Sequence, residues 1–596
     1  MHWNSRILAG WPILLVSLLL SGCSAEQPNR SAELAAACGN AATSLAEVGS
    51  YVGQEVDLEA VISGNFMGAE RLSGAFAQDS SGAVFLRQNR VFQDAEVGQR
   101  VRVRGEVAEY RGHYKVTDIR AVAICGFQPE IQTRSIAFPL TADTSFQDIL
   151  FQRVQIEEPL TVIGNYQLAR FGTLDVASER LWIPTQVVAP GAEAAALAAQ
   201  NEARRFVLDD GSDVEYPRHV RYPYPGLHID NPVRAGDTVQ NLEGFFMVQG
   251  QNYHFHPVRE PEFQVTNRRP APPRMSGGDV SIVAFNVLNY FNGDGQGGGF
   301  PTPRGAATPE EFERQRIRTI NTIIALDADI YALMEMENDG FDERSALADL
   351  TRGLNSLTTE GSYDFIRADA TQIGTDAITQ AIIYRSDRVT PLGDPAWTTR
   401  GAFSWGSRPP LAQNFRINSS GKSIAVVANH FKSKGGCPRE RDDPNANQGD
   451  GQACWNLLRT GAAIELMNWL ASNPLNIRHQ NYVLLGDFNA YAQEDPLRVL
   501  AEGGFPNLAT TLAPDGYSYV FRGEKGSLDH ALVHHSVLNA VTGFTHWHVN
   551  ADEPIAFEYP IGQKTPQQQR DWYSPAPYRA SDHDPIILMI DSRGLN

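Results

Sequence analysis

Four short segments in the second half of the chain carry side chains able to do polar chemistry: Ala332-Leu333-Met334-Glu335, Ala428-Asn429-His430, Gly486-Asp487-Phe488-Asn489 and Ser581-Asp582-His583-Asp584-Pro585. Their groups suit the attack of water on a phosphate ester. Such an ester is already anionic, so charge building on its oxygens has to be neutralised, typically by a divalent cation. A carboxylate such as Glu335 can hold one, because Mg2+ takes oxygen ligands, keeps several waters and needs only one or two carboxylates. The water must also lose a proton, and imidazole titrates near neutrality.

Each segment alone has a plainer reading. An acidic residue in a turn is ordinarily a solvated charge, Gly-Asp-Phe-Asn is a common strand-to-turn sequence, and His430 alone reads as a satisfied core histidine. Their coincidence in one chain favours a site.

The elements that must position these groups begin after Pro270, Pro272 and Pro273, which mark a linker. Val280 to Phe285 reads as an apolar strand. Thr308 with Pro309, Glu310 and Glu311 reads as a helix start, and Ile317, Ile320 and Ile324 give that helix one apolar face. Ser423 to Val427 and Tyr482 to Leu485 read as further strands, with Leu458, Ala462, Leu466 and Leu470 on a helix between them. Strands alternating with helices predict an α/β layered sandwich over residues 276–592, its active groups where strands end. Gly293 to Gly299 reads as a mobile loop at the rim, and Asp442 to Asn447 as a solvated loop pinned by Cys437 and Cys454.

Upstream the period changes. Val101, Val103 and Val107 alternate with Arg100, Arg102, Arg104 and Glu106, as in a strand with one buried face. Gly98, Val101, Gly105, Val107 and Gly112 recur, with one inserted residue, as Gly236, Val239, Gly244, Phe246 and Gly250. This predicts two small antiparallel β modules, residues 46–128 and 129–270, with a helix over Gly191 to Arg205 in the second. The first resembles an OB-fold, a scaffold used on single strands and oligosaccharides; a structural spacer is the alternative.

Arg6, the apolar run Ile7 to Leu20 and then Leu20-Ser21-Gly22-Cys23 resemble a bacterial lipoprotein signal over residues 1–23, with Cys23 lipidated and residues 24–45 as a tether. Ser24 and Ala25 after it point to the outer membrane. Four cysteines remain and allow three pairings; Cys38 with Cys125 and Cys437 with Cys454 keeps each pair in one region. The formal charge of −19 does not favour long-range attraction to nucleic acid, although the field at a cleft is what steers a substrate.

Phe285-Asn286-Val287-Leu288-Asn289, Leu333-Met334-Glu335, Asn429-His430, Gly486-Asp487-Phe488-Asn489, Leu528-Asp529-His530 and Ser581-Asp582-His583 follow the order of the endonuclease/exonuclease/phosphatase (deoxyribonuclease I-like) superfamily, which the chain resembles from about Ser276 to Ile590. Gly374 to Ile378, Asn429 to Lys434, Cys454-Trp455-Asn456 and Leu458-Arg459-Thr460 are similar to its bacterial extracellular nucleases. Met334 departs from the glutamine many members have; Glu335 is retained.

The resemblance implies roles. Glu335 is the main metal ligand, with Asn286 and Asp582 beside it. His583, oriented by Asp529, is the general base; His430 polarises the phosphate or protonates the leaving oxygen; Asp487 and Asn489 position the water and a phosphate oxygen. Apart from the resemblance, Lys432 and Arg459, with Lys434 and Arg408, are candidate phosphate contacts because they stand near the catalytic groups, solvated surface charges being the alternative. The implied cofactor is Mg2+, with Mn2+ as alternative and Ca2+ as a structural ion. The implied activity is hydrolysis of DNA, with RNA a second substrate, by a monomer of the envelope or extracellular space. Nothing resembles a base-reading helix, so sequence preference is weak. Rival readings are a phosphatase or phospholipase-type phosphodiesterase of the superfamily, and a non-catalytic surface protein that binds nucleic acid.

Overall fold

The computed structural model describes residues 30–68, 70–141, 143–358 and 362–595. The signal segment and Cys23 lie outside them. Among the described residues no helix is long and apolar enough to cross a membrane.

Five strands, Glu55–Phe66, Gly74–Gln78, Ala83–Arg87, Gln99–Tyr110 and His113–Phe127, close into a barrel in the order first, second, third, fifth, fourth. Val101, Val103 and Val107 point into its core with Leu58, Ile62 and Leu86. The alternate residues Arg102 and Arg104 pair with Glu59 and Asp57 on the adjoining strand. The tether expected over 24–45 is instead partly packed: helix Arg30–Ala36 buries Leu34 against Ala121 and Ala123, and Cys38 is disulfide-bonded to Cys125. Leu34 supplies the apolar contact that the alanine-rich composition hides.

The second module is larger than a small antiparallel unit. Nine strands, from Arg134–Ile136 to Glu262–Gln264, form a mixed sheet in which Val207 pairs parallel with His254 and Arg134 parallel with Val154. Helix Ala192–Ala203 lies within it, as the alanine run predicts. Strand Leu181–Trp182 leaves that sheet and pairs parallel with Glu524–Gly526, which pairs with Tyr519–Phe521. The module is thus stitched into the C-terminal half, where ion pairs Arg180–Asp552 and Arg234–Glu553 are buried between them.

The C-terminal half is built on two facing mixed sheets. One has the order Tyr363–Phe365, Ile378–Arg385, Ile330–Glu337, Val280–Tyr290, Ile586–Ile590, Val541–His546; the other runs Val389–Trp397, Arg408–Ile417, Ser423–His430, Tyr482–Asp487, Asp529–Val533. Ile282, Ala284, Ile330 and Ala332 of the first meet Val426, Ala428, Val483 and Leu485 of the second. The alternate residues Val283, Phe285, Tyr331 and Leu333 pack on helices Pro309–Leu326 and Ala346–Leu357, and Val427 and Leu484 pack on helix Asn456–Ala471. Burial on both faces is why these strands read as apolar runs.

Thr308 caps its helix, accepting from Glu311 N at 3.2 Å. Of the isoleucine stripe Ile320 is buried in the core and Ile324 packs against it half-buried, but the buried face is wider and more polar, because Gln315, Arg318, Thr319, Thr322 and Ile323 also point inward while Ile317 is only half-buried. Arg318 donates to the carbonyls of Phe557 and Ser574, and Gln315 to those of Val287 and Leu288. Polar side chains here satisfy loop carbonyls that would otherwise be buried unpaired.

Candidate active site

Four polar residues stand in register where neighbouring strands end. Arg408 is opposite His430, His430 opposite Asp487, and Asp487 opposite Asp529. In the facing sheet Asn286 pairs with Met334, and the ladder breaks just beyond. At that irregularity Glu335 takes a left-handed backbone, φ 66°, and its Oε2 accepts from Asn289 N at 3.0 Å. Breaks of this kind re-aim a side chain out of the pleat.

His583 comes from the loop before Ile586–Ile590. The neighbouring carboxylate anchors that loop: Asp584 Oδ1 accepts the backbone N–H groups of Val549, Asn550 and Ala551. Asn550 Nδ2 donates in turn to the His583 carbonyl. His583 Nδ1 donates to Asp529 Oδ2 at 2.6 Å, and Ser518 Oγ donates to the same oxygen at 2.6 Å. The Tyr519 ring lies 4.7 Å from the imidazole, centroid to centroid. With Nδ1 engaged, Nε2 faces Asp487 Oδ2 at 3.9 Å. His430 Nε2 is 3.6 Å from that oxygen, and Asn286 Nδ2 donates to it at 3.3 Å. Asn489, also left-handed, donates its backbone N–H to Asp487 Oδ1 and its Nδ2 to the Phe431 carbonyl.

The two imidazoles are tuned in opposite senses. Burial opposes charge on His583, but Asp529, Asp582 and Asp487 outweigh it and hold the ring well above its usual range. Burial and then the Arg408 guanidinium push His430 well below, so it is neutral. Burial raises Asp487 to about 7, and burial with the adjacent Asp582 charge raises Glu335. Arg408 is itself tied to Asp376 at 3.0 Å and lies 3.3 Å from His430 Nε2.

These residues fit a divalent cation. Asp487, Asp529 and His583 bring one ligand atom each within 4.8 Å of one another, and the buried Asp529 Oδ1 has no hydrogen-bond partner. Buried carboxylates such as Asp487 and Glu335, raised by burial and by neighbouring negative charge, are the charge pattern a cation relieves. Glu335, Asp582 and Asn286 adjoin this group through Asp487 and His583. Carboxylate and amide oxygens of this kind suit a hard divalent cation.

The basic residues divide. Arg459 is fully buried, its guanidinium donating to the carbonyls of Lys432, Cys454 and Gln452, so it holds the loop after His430 and offers no surface to phosphate. Lys434 is likewise spent on Glu494, which also accepts from Thr185 Oγ1 of the second module. Lys432, lowered to about 8 by burial and Arg408, lies 5.2 Å over the Trp455 ring and donates to the carbonyls of Ser433 and Gly435, so it too braces the loop after His430. The 437–454 loop is closed by a disulfide. Ser518 and Tyr519, which hold Asp529 and His583, carry no sequence signal: Tyr519 opens a strand of three residues, Tyr519–Phe521, and Ser518 stands just before it.

Residues 283–583, just over half of the chain, match the Endonuclease/Exonuclease/phosphatase family model. Among solved structures the chain is similar to an endonuclease/exonuclease/phosphatase from Bacteroides vulgatus, at 15% identity and a TM-score of 0.34 over 52% of this chain and 98% of that one. It is similar to the human Nocturnin catalytic domain at 13% and 0.31, over 52% and 92%, and to a mannosyl-6-phosphatase from Bacteroides thetaiotaomicron at 14% and 0.32, over 52% and 99%. No curated protein matches it. The matched span carries Asn286, Glu335, His430, Asp487, Asp529 and His583, and the chain belongs to the Endonuclease/Exonuclease/phosphatase family, hydrolases of phosphodiesters or phosphate esters that are generally dependent on a divalent metal.

Proposed function

We propose that this chain is an envelope or extracellular nuclease that hydrolyses DNA phosphodiesters with weak sequence preference, RNA being a second substrate. One observation carries the reading: His583, held by Asp529 at 2.6 Å, and His430 meet over Asp487 beside the Glu335 carboxylate. Mg2+ or Mn2+ held by Glu335 with Asp582 and Asn286 would neutralise phosphate charge and, by its own charge, return His583 toward its neutral form. Neutral His583 Nε2 then takes the proton of the attacking water while Asp529 and Ser518 fix the ring orientation. His430 and Arg408 face the phosphate from the other side, and Asp487 and Asn489 position the water.

The five-stranded closed barrel, in the order described, supports an OB-fold reading of the first module and a role in holding strands. The sequence around Cys23 supports a lipid anchor.

Full-length protein in detergent should degrade plasmid DNA with Mg2+ and stop on adding EDTA. Turnover of sphingomyelin or a sugar phosphate, without cleavage of DNA, would replace this reading with the phospholipase or phosphatase one.

A further inference from the structure

A cavity of about 460 Å³ opens between the second β module and the C-terminal half. Tyr166, Arg170 and Tyr216 form the module's wall; Glu558, Lys564 and Trp572 face them. Nothing in the catalytic arrangement above uses these groups.

One wall of the cavity is tied to the Glu335 and Asp582 side of the active site through Arg579, whose guanidinium interacts with both Glu558 and Asp582. Glu558 accepts from Arg579 at 2.7 Å, three residues before Asp582, and Arg579 also donates to the Asn550 carbonyl. Gly305, on the same lining, lies so close to the strand bearing Asn289 that an added Cβ would meet the Asn289 carbonyl at 2.6 Å. The Asn289 N–H in turn holds Glu335.

Its chemistry suits a nucleotide. Tyr166 is 64% exposed and Tyr216 41%, large aromatic faces left open to solvent, with the Arg170 guanidinium 5.7 Å over the Tyr216 ring. Arg170, paired with the exposed Glu215, and Lys564, which burial lowers to about 7 and which donates to the Glu558 carbonyl, place two nitrogen donors here. The carboxylates are already engaged: Glu311 accepts from Ala307 N and Ile561 N, Glu558 from Arg579, and Glu215 from Arg170. The volume falls in the range of small-ligand sites.

Resting on the DNA reading above, we propose that this cavity holds the nucleotide next to the scissile phosphate. Its base lies against Tyr166 and Tyr216, and its backbone phosphate faces Arg170 and Lys564. The second β module thereby sets affinity for the strand, and stacking does so without reading base identity.

The test compares Tyr166→Ala, Tyr166→Phe and Arg170→Ala in the full chain on two substrates with Mg2+: a short fluorescent oligodeoxynucleotide and bis-nitrophenyl phosphate, which has no base. Tyr166→Ala should raise KM for the oligonucleotide about tenfold with little change in kcat, lowering its kcat/KM relative to the small substrate, and Tyr166→Phe should restore it. Arg170→Ala should raise KM and flatten its rise with salt. Equal losses on both substrates, or an unchanged oligonucleotide KM in an active nuclease, would overturn the subsite alone. Turnover of bis-nitrophenyl phosphate with no cleavage of DNA by the unaltered chain would defeat the DNA reading and the subsite with it.

Discussion

Asp529 accepts a 2.6 Å hydrogen bond from His583 Nδ1 across 54 residues of chain, and a second from Ser518 Oγ on the same oxygen. The pairing fixes which ring nitrogen is free, and therefore where a proton can go. Asp529→Asn keeps the shape and removes the charge that selects the tautomer. Turnover should fall by roughly 10²–10⁴ with KM little changed. Steady-state kinetics on a defined oligonucleotide check this, and a loss confined to KM would argue against an orienting role.

Glu335 is a half-buried carboxylate whose pKa is raised by burial and by Asp582, so without a cation it costs the fold stability, which is lost as pH rises from the ordinary 4.5 to that raised pKa and stays lost above it. Glu335→Gln should raise the Tm of EDTA-treated protein near pH 8 while weakening cation binding. A cation at 100 times its Kd adds about 2.7 kcal/mol to the parent, so the Mg2+-induced rise in Tm should be largely lost in the variant. Thermal scans with and without Mg2+ measure both effects.

Arg459 separates a structural from a phosphate-binding role. Arg459→Ala takes a buried donor from the Lys432 and Cys454 carbonyls, while the Gln452 carbonyl keeps Lys434 Nζ, and should cost about 2–5 kcal/mol of stability, read by denaturant unfolding. Lys432 Nζ donates to the more exposed Ser433 and Gly435 carbonyls, so Lys432→Ala should cost less, about 1 kcal/mol, and raise KM.

Asp210 lies in the second module beside Asp209, His256 and Arg221, and burial with the Asp209 charge raises it to about 7 from an ordinary 3.8. The unfolded chain ionises first. The stability lost to this group therefore grows as pH rises from about 4 to about 7 and is complete above that. Asp210→Asn, which can still accept from Ser212 N, should stabilise by about 2–4 kcal/mol near pH 8 and by little near pH 4. Unfolding curves at the two pH values give the difference.

Legibility in the sequence followed the range of the interactions. The strands bearing His430 and Asp487 were readable because apolar runs buried on two faces end abruptly in polar residues, and the Thr308 cap because capping is local. The buried face of Pro309–Leu326 was not, since Gln315 and Arg318 point inward only to meet carbonyls far along the chain. The same holds for Leu181–Trp182, a strand of two residues whose partner, Glu524–Gly526, lies more than three hundred residues on. Arg459 looked like a free cation because sequence shows charge and not the carbonyls around it. The packed helix at Arg30–Ala36 was hidden by alanines whose one large apolar neighbour is Leu34.

The central claim is that Glu335 and His583 serve one cation-dependent centre. A double-mutant cycle on DNA cleavage, with Glu335→Gln, His583→Ala and both together, tests it most directly. Groups acting as a unit give a double variant about as slow as the slower single one, and the parent chain should fall to a similar rate in EDTA. Penalties that multiply in the double variant, or a parent rate untouched by EDTA, would contradict the account.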